Sequence, residues 1–125
     1  MTTPYTVCLV TADDEKTASV IAEELVKQKL AACVSTVPRI TSVYRWKNKI
    51  KHAREILLII KTRKVLREDI VQAVRRRHPY SVPEILFLDI EKGSKDYLDW
   101  IGANTLFTTN IPKDRAEITE YEKHT

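Results

Sequence analysis

The chain has 125 residues, 43% of them hydrophobic and 30% charged, and its net charge of +4 is the balance of 21 basic and 17 acidic side chains. That describes one domain with a single core, and charges of both signs argue for solubility rather than for wholesale polyanion binding. Two cysteines, Cys8 and Cys33, exclude a disulfide framework, while the absence of any long apolar segment excludes a membrane span and leaves the cytoplasm as the expected compartment.

Tyr5 to Thr11 is rich in β-branched and aromatic residues and reads as a first strand. Asp13 or Asp14 is placed to cap a helix in which Ala18, Ile21, Ala22, Leu25 and Val26 recur on one face. Leu30 to Val37 reads as the start of a second strand, with a bulge or bend at Pro38 and a continuation from Ile40 to Trp46. Lys47-Asn48 is the natural hairpin tip, because asparagine tolerates left-handed dihedrals. A third strand returns from Lys49 to Thr62, and Leu66, Ile70, Ala73 and Val74 define a second amphipathic helix.

That helix should end at His78, where Pro79 removes a donor and biases its predecessor away from helical dihedrals. The loop His78-Pro79-Tyr80-Ser81-Val82-Pro83-Glu84 is held stiff by its two prolines, and it carries His, Tyr and Glu at a helix-to-strand junction. A fourth strand follows from Glu84 to Ile90, then a short helix from Asp96 to Ile101. The order is β-α-β-β-α-β, an α+β ferredoxin-like sandwich with an extra C-terminal helix. Residues 1–103 form this domain. Residues 104–125 form an extension in which Leu106-Phe107 and Ile111-Pro112 are candidate clamps on a neighbouring subunit and Asp114 to Tyr121 a candidate short helix.

Two strands carry a further message. Ile56 to Ile60 and Ile85 to Leu88 are continuous apolar runs, whereas a strand exposed on one face alternates. The two main helices of this fold cover one face of the sheet. Each large apolar residue left on the other forgoes about 1.5–3 kcal/mol of burial, so the pattern predicts a homo-oligomer packed through its sheets.

Several motifs stand together in one register. They are Leu30-Ala31-Ala32-Cys33-Val34, Ser42-Val43-Tyr44-Arg45-Trp46 with Lys49-Ile50, and Glu55 with Leu57 through Thr62. They continue with His78-Pro79-Tyr80, Val82-Pro83-Glu84, and Asp96-Tyr97-Leu98 with Trp100. In these the chain resembles the CutA divalent-cation-tolerance proteins from about Val7 to Ile101. The resemblance implies a homotrimer similar to the PII signalling proteins and a role in tolerance to copper and other divalent metals. It also implies an alternative role as a trimeric scaffold or anchoring partner for another protein. The chain departs from the family's metal-binding pattern at Val10, where a cysteine is expected, and at Arg77, where a second histidine is expected. Arg39 and Asn48 stand where glycines are usual.

His78 and Cys33 are the candidate metal ligands, since soft copper favours thiolate and imidazole together. Tyr44, Trp46, Lys49, Lys61, His78, Tyr80 and Glu84 are the candidate walls of a cleft between subunits, and aromatics beside lysines suit a small anionic or planar ligand. Glu55 and Glu84 read as strand-end salt-bridge partners rather than a catalytic pair. An RNA-recognition module is disfavoured because Glu55 to Thr62 carries no stacking aromatic. An acylphosphatase-like site is disfavoured because Asp13 and Asp14 would repel phosphate. No nucleophile with a base is in sight, so no enzyme is expected.

Overall fold

The computed structural model describes residues 2–111, so the expected helix from Asp114 to Tyr121 lies outside the described residues. Strand β1 (Tyr5–Ala12) leads into helix α1 (Glu15–Lys27), and β2 (Cys33–Trp46) turns back as β3 (Lys49–Arg63). A 3-10 turn (Lys64–Leu66) opens α2 (Arg67–Arg77), followed by β4 (Ile85–Asp89) and α3 (Lys95–Ala103). The strands form one sheet in the order β2-β3-β1-β4, antiparallel throughout. This is the ferredoxin-like α+β arrangement that the element order predicts.

Local chemistry explains the boundaries. Asp14 caps α1 by accepting the Thr17 N–H at 2.7 Å, and that hydrogen bond lowers the Asp14 pKa. At the other end Lys29 adopts φ 59, with Leu30 N–H donating to Leu25 O and Lys29 N–H to Val26 O. This is a Schellman termination, and it corrects the expected strand start. Leu30 and Ala31 are apolar because they close the helix end against the core, and β2 begins only at Cys33. The hairpin tip is Lys47 (φ 50) and Asn48 (φ 63), the two left-handed residues of a type I′ turn. The register breaks between Val37 and Ile40, where Arg39 takes φ 59 directly after Pro38.

Alternation along the central strands divides the side chains into two sets. Cys8, Val10 and Ala12 of β1 pair with Ile60, Leu58 and Ile56 of β3, and all six are buried with Ile21, Leu25, Leu66, Ile70 and Val74. That is the core, under α1 and α2. The opposite face carries Val7, Leu9, Leu57 and Ile59, with Val37, Leu86 and Leu88 more exposed at its margins. Helix α3 covers the Tyr5 end of this open face. Arg63 Nη2 donates to Gly102 O at 2.9 Å, and a Cβ at Gly102 would stand 2.5 Å from the Tyr5 hydroxyl, so a larger residue there would push the Tyr5 and Arg63 side-chain ends aside.

Residues 104–111, beyond α3, pack on their own domain. Leu106 N–H bonds Lys29 O and its side chain meets the core, while Phe107 stacks under the Arg63 guanidinium at 4.9 Å. Thr109 Oγ1 and Asn110 N–H donate to the two oxygens of buried Asp69, at 2.5 and 3.0 Å. Residues 104–111 are thereby fastened to the domain rather than hanging from it.

Candidate functional site

A cleft of about 680 Å³ opens at the end of the sheet's open face. Its floor is Thr11 at the end of β1 and Glu55 on β3. One wall is the tip-side part of the β2–β3 hairpin, with Ser42, Tyr44, Trp46 and Lys51, and the other is the loop residues Tyr80, Ser81, Val82 and Glu84. The hairpin register explains the first wall. With the tip at 47–48, Tyr44 stands opposite Lys51 and Trp46 opposite Lys49, so aromatic and basic residues alternate across one face.

The loop wall is held by His78. Its Nε2 lies 2.6 Å from Thr11 O, and its Nδ1 accepts the Tyr80 N–H at 3.2 Å. Since Nδ1 must accept, Nε2 carries the proton and donates to the carbonyl. The ring is buried and tilted against Tyr80, with centroids 4.6 Å apart. His78 therefore clips the Pro79–Pro83 loop onto the end of β1, and neither ring nitrogen is left to hold a metal.

Tyr80 in turn reaches Glu55, its hydroxyl donating to Oε2 at 3.4 Å. Burial first, then the Glu55 and Asp13 charges, push the Tyr80 phenol up to about 12, so it remains a neutral donor. Glu55 is only 8% exposed. Neither Glu55 nor Glu84 makes an ion pair among the described residues. This corrects the expectation of strand-end salt bridges.

Of the seven expected cleft residues, the structure brings together Tyr44, Trp46, Tyr80 and Glu84. Lys49, although paired with Trp46, is not among the lining residues, and His78 lies behind the loop. Lys61 sits lower on the open face, donating to Ser35 Oγ at 2.6 Å with Cys33 Sγ at 3.7 Å. Lys51 and Glu55 complete the cleft instead. The pairing of Lys51 with Tyr44 was legible by counting back from the hairpin tip. Glu55 is met by the Tyr80 hydroxyl, a partner 25 residues away, and this contact has no local signal.

The two expected metal ligands are not neighbours. Cys33 pairs with Lys61, which pairs with Val7, whereas His78 reaches Thr11 at the far end of β1. Cys8 faces the core, where burial pushes its thiol up to about 12 and disfavours the thiolate a metal needs. Arg77, standing where a second histidine is expected, ties α2 to α1 through Glu24, with Nη2 to Oε1 at 2.8 Å. Among the described residues no group of three or more His, Cys, Asp or Glu converges. The described side chains of one chain do not fit a closed metal shell.

Comparison with known proteins agrees with this geometry over most of the chain. A family model described as CutA1 divalent ion tolerance protein matches residues 6–104. The divalent-cation tolerance protein CutA of Thermus thermophilus is 43% identical over 99 residues, which are 79% of this chain and 96% of that protein. The human protein CutA is 45% identical over 92 residues, 74% of this chain and 51% of its own length. The match thus spans about half of that longer relative. Among solved structures, CutA1 from Oryza sativa superposes with a TM-score of 0.82 at 39% identity, covering 86% of this chain and 98% of that one. The Thermus thermophilus structure gives 0.80 at 42% identity, covering 82% and 99%. This chain belongs to the CutA divalent-ion-tolerance family.

Proposed function

We propose that this chain works as a homotrimer in the cellular response to divalent metal ions, copper among them, and binds a small ligand in the cleft beside the open sheet face. The observation that carries the reading is the open face itself. Leu86 and Leu88 are 55% and 53% exposed beside Leu9, Leu57 and Ile59, a continuous apolar surface of the kind that marks an interface. The relatives' shared description as divalent-cation tolerance proteins supports the physiological setting. Among the described residues of one chain no full ligand set converges, which favours ligands from more than one subunit for any metal the assembly holds.

The reading involves no catalytic step, and the cleft offers no activated nucleophile. A strain lacking its own member of the family tests it under copper challenge. Wild-type protein should restore growth, and Leu88→Asp, which charges the open face, should not. Equal rescue by both variants, or by neither, would overturn the link between this surface and metal tolerance.

A further inference from the structure

We infer that the cleft receives an alkylammonium group, the charged end of a free amine or of a lysine side chain. This rests on the reading of the cleft as a ligand site and goes on to name the ligand's chemistry. Glu55 is the starting point. A carboxylate as buried as this one is costly unless a cation or several hydrogen bonds meet it. Among the described residues Glu55 has one hydrogen-bond partner, the Tyr80 hydroxyl, at a long 3.4 Å. Lys51 lines the same cleft opposite Tyr44 and makes no ion pair with it. The floor of the cleft therefore presents a carboxylate with no ion-pair partner among the described residues.

The walls select the kind of cation. Tyr44, Trp46 and Tyr80 remain 45%, 50% and 38% exposed around that charge. Aromatic faces attract an ammonium through their quadrupoles and accept its methylene stem, while the carboxylate takes its N–H groups. A metal ion gains little here. Aromatic rings are not ligands, no His or Cys lines the cleft, and two carboxylates fall far short of the six to eight oxygens calcium takes. An anion is disfavoured as well, because Glu55 and Glu84 outweigh the single Lys51. This inference differs from the small anionic or planar ligand expected from aromatics beside lysines. A cavity of about 680 Å³ has ample room for a linear amine.

Trp46 lines the cleft and Trp100 lies on α3, so Trp100→Phe leaves one reporter. In that background, titration with n-butylammonium chloride against sodium chloride of equal ionic strength should give a saturable change in Trp46 emission. Glu55→Gln keeps an acceptor for Tyr80 but removes the charge, and should weaken binding by roughly tenfold or more. Tyr44→Leu, on the rim, should weaken it less. If butylammonium gives no change but Glu55→Gln lowers the stability of the assembly in native mass spectrometry, the ammonium is a lysine of a second copy. A flat amine titration with an unaltered assembly overturns the inference. Saturable binding of Cu(II) or ATP in that same case keeps the cleft as a ligand site, whereas silence toward all three defeats both readings.

Discussion

The two faces of one sheet make opposite use of the same strand. Along β3, Ile56, Leu58 and Ile60 point under the helices and are buried, while Leu57, Ile59 and Lys61 alternate with them and point to the open side. The amino-acid types barely differ. What differs is the cover: α1 and α2 close one face, and α3 closes only the Tyr5 end of the other. Apolar content alone thus does not tell the core from the open face; the missing helix does.

Substitutions on the two faces should separate accordingly. The largest effect is expected at Leu58, fully buried under the helices. Leu58→Ala should cost about 2–5 kcal/mol of folding stability, read by denaturant unfolding. Leu88→Asp on the open face should leave the far-UV circular dichroism of the subunit unchanged but shift the sedimentation coefficient toward a single chain. If both variants simply unfolded, the distinction between the faces would collapse.

At the cleft the expected effects are smaller. His78→Ala removes the clip between the loop and Thr11 O and should cost about 1–3 kcal/mol, with faster amide exchange at Tyr80. Its copper affinity by calorimetry should match wild type, since both ring nitrogens are already bonded; a large loss would make His78 a ligand. Lys29→Gly should stabilise the chain by about 1 kcal/mol, because a side chain at φ 59 is strained and glycine is not. The smallest effect concerns pH. Arg77, by hydrogen bond and charge, lowers the Glu24 pKa. The stabilisation is therefore present above the unfolded carboxylate value and lost as pH falls through the lower folded one. Glu24→Gln should flatten the acid limb of the stability profile slightly.

Much of this molecule was legible in sequence because its signals are local. Helical spacing placed α1 and α2, Pro79 ended α2, Asn48 marked the hairpin tip, and the two apolar runs announced a second face in need of cover. The errors share a cause. Leu30-Ala31 looked like strand because an apolar helix terminus and a buried strand have the same composition. Lys49 and Lys51 both stand opposite aromatics of β2 on one face, so their pattern alone does not say that Lys51 is the one lining the cleft. The roles of His78, Glu55 and Asp69 rest on Thr11, Tyr80 and Thr109, each far away in the chain. Long-range hydrogen bonds leave no periodicity behind, so the site was harder to read than the fold.

The open face is best interrogated by native mass spectrometry of the full chain across a dilution series. The account predicts a persistent species at three times the 14.5 kDa chain mass, lost in Leu88→Asp. A wild-type protein that flies as a 14.5 kDa monomer throughout would contradict it.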